Sequence, residues 1–326
     1  MKKRSKLVID ILKIAYLQFI VIFLFSAYNL FSSGSRQIVH TSMSEPTPVS
    51  EQPVVPPPPP TRAELVMKAI FEAYRDQIDQ VEFRNDDWAI LMKGKWYYYA
   101  GGRLLPENQL ENAESYRPYQ FYQYPVDLPP ITARTPEEIE RFKSWTTPRG
   151  QNILKRSGFF YDELLSAATR AETERQIVRI SFLGKTPKVH KLIQQKLAVI
   201  EEHIYAAAKI DNTVKKWIDN LAPVEAYNWR NIANTQSRSY HSYGLAIDLL
   251  PKSLGNKQTY WLWTSDHRED WWNVPYKERY HPPEAVIKIF ESYGFVWGGK
   301  WIMFDTMHFE YRPEVFYLNG MPPAEK

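Results

Sequence analysis

The chain has 326 residues, no cysteine, and 41 basic against 37 acidic side chains. Lys2, Lys3, Arg4, Lys6 and Lys13 crowd the first 13 residues beside Asp10, so the remainder is neutral overall and shows no basic stripe of the kind nucleic-acid binding leaves. The lack of cysteine excludes disulfides, thiolate metal sites, cysteine nucleophiles and a lipoprotein anchor, and suits an exported protein with no thiol to mispair.

An apolar run from Ile14 to Phe31 follows the basic cluster. About 18 such residues span a bilayer as one helix. Lys and Arg ahead of it put the N-terminus in the cytoplasm. No small-x-small cleavage site follows, so the pattern predicts an uncleaved anchor rather than a signal peptide. Residues 32–61 contain Pro46, Pro48, Pro53 and the run Pro56 to Pro60, which read as an extended polyproline II spacer. Docking to a proline-binding domain is the alternative. The predicted organisation is therefore a cytoplasmic basic segment (1–13), a transmembrane anchor (14–31), a Pro-rich linker (32–61), a helical and aromatic N-terminal extension or module (62–210), and a core domain (211–326).

Val66, Ile70, Tyr74 and Ile78 recur at helical spacing just after Thr61. Trp88 to Tyr99 reads as a hairpin turning at Lys93-Gly94-Lys95. Residues 106–135 lack periodicity, and Tyr116, Tyr119, Phe121, Tyr122 and Tyr124 there call for packing on the domain. Val189, Leu192, Ile193, Leu197, Ile200 and Ile204 predict a helix. Val214, Trp217, Ile218 and Leu221 predict another, capped by Asn212 or Thr213. A third runs from Pro283 through Val286, Ile289, Phe290 and Tyr293 to Gly294. A strand at Phe295-Val296-Trp297, a turn at Gly298-Gly299 and a second strand from Trp301 follow. The fold class expected is α+β, with a small antiparallel sheet flanked by helices.

Two segments concentrate chemistry: Ser239 to Asp248, and Asp305 to Glu310. They supply two imidazoles, a carboxylate ligand and a spare carboxylate, the set a catalytic zinc needs. Leu245 to Leu250 alternates as a strand with Ala246, Asp248 and Leu250 on one face. A carboxylate between aliphatic neighbours requires a metal or another cation to answer it. His241 lies seven residues earlier and would point away in a straight strand. Ser242-Tyr243-Gly244 must then curl the chain, and Gly244 suits such a bend. In the second segment Thr306, His308 and Glu310 share a strand face. Asp305 is expected near the metal but not on it, an exposed carboxylate beside water and suited to general-base work. The plain alternative is an aspartate capping a turn at the strand end. His40 lies in the linker, His190 and His203 read as ordinary surface or packed residues on helices, and His267 and His281 sit in polar or Pro-bounded loops that do not suggest ligands.

The pattern Ser239-x-His241-x2-Gly244-x-Ala246-x-Asp248, with a later acid-x2-His308, resembles the signature of zinc D-alanyl-D-alanine carboxypeptidases and dipeptidases. The related L-alanyl-D-glutamate endopeptidases of phage lysins and cell-wall hydrolases (peptidoglycan metallopeptidases of the LAS type) carry it too. Tyr227 to Ala233 and Trp297-Gly298-Gly299-Lys300-Trp301 are similar to a bacterial branch of that family, and the resemblance covers residues 225–315. It implies Zn2+ held by His241, Asp248 and His308, with Asp305 in the base position. The carboxypeptidases usually have Glu there, whereas the endopeptidases resemble this chain in placing Asp before a His-Phe-Glu run. Arg230 would match the arginine that binds substrate carbonyl or stabilises the oxyanion, with a surface arginine as the alternative. Ser239 would bind substrate or shape the loop.

The resemblance thus implies a peptidase acting on peptidoglycan stem peptides. The predicted topology, a single-pass anchor in the cytoplasmic membrane with the catalytic domain outside, places it where such substrates lie. The competing expectations are an inactive wall-binding or scaffolding protein with the same fold, and an amidase or peptidase acting on other peptides.

Overall fold

The first helix, α1 (Arg62–Ala73), starts where Thr61 accepts a hydrogen bond from the Glu64 N–H through its hydroxyl, and it buries Val66, Met67, Ala69 and Ile70. The structure is a computed structural model that describes residues 59–147 and 154–324. The predicted basic segment, the anchor, His40 and all but the end of the linker lie outside those residues. Among the described residues no helix is long and apolar enough to cross a membrane. Residues Pro58–Lys326 form one compact unit.

After α1 comes an antiparallel meander: β1 (Gln80–Arg84), β2 (Asp87–Met92), β3 (Lys95–Tyr98) and β4 (Leu105–Pro106). The β2–β3 turn is the one predicted at Lys93-Gly94, and both residues take positive φ. Residues 106–135 are largely irregular, apart from a 3₁₀ stretch at Glu107–Ser115. Tyr119 and Tyr124 from this segment are buried, as its aromatic content required.

Then follow α2 (Pro136–Trp145), α3 (Phe159–Leu165), α4 (Arg170–Gln176), a short hairpin of β5 (Ile177–Arg179) and β6 (Lys188–His190), and α5 (Lys191–Ala208). In α5 the side chains of Ile193, Leu197, Ile200 and Ile204 are fully buried. Each contributes about 1.5–3 kcal/mol relative to exposure. Helix α6 (Asn212–Asp219) is capped one residue earlier than expected. Asp211, not Asn212 or Thr213, accepts from the Thr213 N–H at 2.7 Å.

The site rests on a three-stranded antiparallel sheet of β7 (Ala246–Asp248), β8 (Phe295–Trp297) and β9 (His308–Tyr311), ordered β7-β9-β8. Helix α7 (Trp261–Ser265) lies in the long connection out of β7, α8 (Glu284–Ser292) precedes β8, and α9 (Pro313–Leu318) follows β9. One face of the sheet is apolar: Ile247 pairs with Phe309, and Phe309 with Trp297, while Phe290 of α8 stacks on Phe309 at 4.2 Å. One apolar core runs from Val66 and Ile70 through Leu197 and Phe290 to Phe309 and Tyr311. The architecture is α+β with small antiparallel sheets. The predicted strand from Trp301 does not form. The chain loops through residues 301–307 because the Asp305 N–H is tied to the Gly298 carbonyl at 3.0 Å, and β9 begins only at His308.

Candidate metal centre

Register places the first two groups. Asp248 on β7 lies directly opposite His308 on β9. Directly opposed residues in an antiparallel pair project from the same face. Alternation adds Glu310 and Ala246 to that face, opposite the apolar one.

His241 arrives through the curl that the sequence required. Tyr240–Tyr243 forms a single 3₁₀ turn, and the Ser239 hydroxyl accepts from the His241 N–H at 3.2 Å. Gly244 ends the turn at φ +70°. A Cβ there would come within 2.7 Å of the His190 backbone nitrogen and 2.6 Å of Ile177 Cδ1. The His190 N–H donates to the Gly244 carbonyl at 2.9 Å, which pins the turn to β6. Glycine is therefore demanded twice, by conformation and by space.

Three potential ligand side chains converge. His308 Nδ1 stands 3.0 Å from Asp248 Oδ1, His241 Nε2 3.3 Å from Asp248 Oδ2, and His241 Nε2 3.2 Å from His308 Nδ1. Two ligands of a tetrahedral zinc, with bonds of about 2.0–2.1 Å, stand about 3.3 Å apart. The donor set therefore fits a zinc-sized cation, and these three residues are able to hold one.

The outward nitrogens of both rings are fixed. His241 Nδ1 lies 2.6 Å from the Ala226 carbonyl and donates to it, leaving Nε2 free to ligate. His308 Nε2 lies 3.1 Å from Glu310 Oε2 and donates there, leaving Nδ1. Such partners hold a ligating imidazole in the correct tautomer and orientation.

The local field favours a cation. Burial works against charge on His308, yet its hydrogen bonds to Asp248 and Glu310 and the charges of Asp248 and Asp305 hold its pKa well above the ordinary value. Burial also opposes ionisation of Asp248, but the His241 charge and both imidazole hydrogen bonds outweigh it and keep the carboxyl well below the usual carboxylate range. Glu310 is likewise lowered, with burial outweighed by the His308 hydrogen bond and charge and by Arg312.

Asp305 is not the exposed carboxylate that the sequence suggested. Its Oδ1 is buried and accepts no hydrogen bond from the protein. Burial pushes its pKa up to about 7, against the lowering influence of His308 and Arg230. The Trp-Gly-Gly motif accounts for its placement. The Asp305 N–H donates to Gly298, a Cβ on Gly298 would lie 2.5 Å from the Asp305 carbonyl oxygen, and Trp297 Nε1 donates to the Thr306 carbonyl at 2.8 Å. The reading of Asp305 as a turn cap fails for the same reason: its side chain caps nothing.

Arg230 reaches the same neighbourhood. Its N–H donates to the Ser242 hydroxyl at 2.9 Å, its carbonyl accepts from the Ser239 N–H at 3.2 Å, and its guanidinium is exposed. Its charge is felt at both Asp305 and Tyr260. Ser239 is buried, and its hydroxyl accepts from the His241 N–H within the Tyr240–Tyr243 turn.

Of the remaining histidines, His190 caps α5 and is buried. His203 packs edge-on to Tyr293, and His281 lies against Trp297. None joins the cluster.

Three partners were missed from sequence. The face that Glu310 shares with His308 was readable, but the bond between them was not inferred. The Ala226 carbonyl comes from a distant segment and left no local signal. Tyr260 is brought beside Asp305 by a single antiparallel bridge.

One comparison with known families bears on this region. Residues 233–311 match the family model of D-alanyl-D-alanine carboxypeptidase. The matched span contains Ser239, His241, Asp248, Asp305, His308 and Glu310, and supports a metallopeptidase family for this part of the chain. Residues 66–121 match a domain of unknown function. No curated protein matches the chain, and no solved structure does.

Proposed function

We propose that this protein is a zinc-dependent peptidase that hydrolyses peptidoglycan stem peptides. The observation that carries the reading is the convergence of His241 Nε2, Asp248 and His308 Nδ1 at zinc-like spacing, each imidazole locked from behind. The carboxypeptidase family match over the same residues supports the substrate class.

Bound there, zinc would supply a water acidified to a pKa of about 7 and a Lewis acid for the scissile carbonyl. The protein's own groups then divide the remaining work. Asp305, with an unpartnered buried oxygen, takes a proton from the attacking water and passes it to the leaving amine. Arg230, exposed at the rim, binds substrate oxygen. Ser239 keeps the ligand turn in shape. Trp263, large and solvent-exposed, stands edge-on to Tyr260 at 5.4 Å and offers apolar contact beside the Tyr260–Asp305 bridge.

We further place the catalytic unit outside the cytoplasmic membrane, held by the Ile14–Phe31 run and spaced by the Pro-rich segment, on the composition of those segments.

The test is to incubate the purified protein with stem peptides and with intact wall, with and without a chelator, and to weigh the products. Chelator-sensitive cleavage supports the reading, and the masses reveal whether terminal D-Ala, a cross-link or the L-Ala–D-Glu bond is cut. Wall binding without cleavage by metal-loaded protein would instead favour the inactive binder.

A further inference from the structure

Behind the metal centre runs a buried polar chain that the chemistry above does not use. Glu310 is shared: Oε2 faces His308, and Oε1 lies 3.4 Å from Arg312 Nη1. Arg312 Nε donates to Glu314 Oε1. The Tyr161 hydroxyl donates to the same Glu314 oxygen at 3.1 Å, and the Tyr74 hydroxyl to Glu314 Oε2 at 3.2 Å. Arg312 Nη2 donates to the Gln120 carbonyl at 3.1 Å. Glu310, Arg312 and Glu314 are 8 %, 2 % and 0 % exposed, so solvent cannot replace any of these contacts.

Tyr74 follows α1, Tyr161 belongs to α3, and Gln120 sits in the irregular aromatic segment. Tyr74 and Gln120 fall inside residues 66–121, the stretch that matches a domain of unknown function. The N-terminal part of the chain thus supplies donors and an acceptor to an ion chain that ends on a metal-ligating imidazole.

We infer that residues 66–121, with Tyr161, serve as a positioning element for the metal centre: Tyr74 and Tyr161 act through Glu314, Arg312 and Glu310 to orient His308. The inference rests on the metal reading above. A buried ion chain is a poor route to stability, since well-packed apolar residues of the same volume usually do as well or better. Its value here is geometric. Glu314 needs donors beyond Arg312, and the two tyrosines provide them. Without them the Arg312 guanidinium is drawn further onto Glu314 and away from Glu310. Glu310 then holds the His308 ring less firmly, and the ligating nitrogen loses its aim.

The experiment measures zinc affinity of the full-length protein by competition with a chromogenic chelator. Tyr74→Phe and Tyr161→Phe each remove one hydroxyl and keep the ring that packs the core. Direct partners of metal ligands contribute about 10–100-fold in affinity, so Glu310→Gln is expected to weaken zinc binding by that order and the double tyrosine variant by at least about threefold. In the Glu310→Gln background the tyrosine substitutions should change the zinc Kd no further, because the route is already cut. Unchanged zinc affinity in the double tyrosine variant, with only a lower unfolding midpoint, would overturn the inference, as would additive effects in the Glu310→Gln background. Wild-type protein that binds no zinc would sink the metal reading itself, an outcome separate from these.

Discussion

Gly244→Ala tests how tightly the ligand turn is built. Two costs add. An L-residue at φ +70° costs about 1–2 kcal/mol. The new methyl would also lie 2.6 Å from Ile177 Cδ1 and 2.7 Å from the His190 backbone nitrogen. The isoleucine tip can swing aside. The nitrogen cannot, because its N–H is bonded to the Gly244 carbonyl at 2.9 Å. Relieving that overlap adds about 1–3 kcal/mol. Gly184 is the matched control: its φ is +71°, and nothing lies within 4 Å of its would-be Cβ.

Urea unfolding of Gly244→Ala and Gly184→Ala therefore separates strain from overlap. Gly184→Ala should lose about 1–2 kcal/mol, and Gly244→Ala about 2–5 kcal/mol, with unchanged slopes. Zinc affinity should fall only in Gly244→Ala, because His241 rides on that turn. Equal stability losses in the two variants would refute the claim that close approach to β6 sets the turn.

Asp248→Asn and His241→Ala should abolish stoichiometric zinc binding, read by metal analysis after desalting, and turnover with it. Asp305→Asn should keep the metal while the turnover number falls by about 10²–10⁴-fold; loss of metal in this variant would instead make Asp305 a ligand. His190 predicts an acid sensitivity. Burial lowers its pKa from 6.5 to about 4, against a raising hydrogen bond from Nε2 to the Leu165 carbonyl. The unfolded chain therefore takes up the proton first. The stability contribution is complete above pH 6.5 and is lost as pH falls towards 4, by on the order of 3 kcal/mol. Urea midpoints across that range should fall less steeply for His190→Gln than for wild type; parallel curves would reject the assignment.

The local features of the site were legible where they depended on nearby residues. The curl at Ser242-Tyr243-Gly244, the Lys93-Gly94 hairpin and the shared face of His308 and Glu310 all follow from spacing. What pairing brings together was not legible. Nothing in either segment alone says that Asp248 stands opposite His308, or that the Ala226 carbonyl receives His241. Asp305 was misjudged as exposed because its burial is imposed from Gly298, seven residues away and on another element. The strand expected from Trp301 failed for the same cause. A turn at Gly298-Gly299 suggested that a paired strand would follow at once, but the turn after β8 holds the chain in a loop until His308. The Asp211 cap shows the smaller kind of miss, a boundary shifted by one residue where several capping residues adjoin.

The alternation along β9 carries a penalty of its own. His308, Glu310 and Arg312 occupy every second position, with Phe309 and Tyr311 turned into the apolar core between them. A substitution in this stretch alters one group. A single inserted or deleted residue would exchange the two sets, sending aromatic rings towards the candidate metal site and charges into the core. The count of residues from 308 to 312 is therefore fixed by the face each one must take, a constraint absent at the turn of Gly255, where nothing lies within 4 Å of an added Cβ.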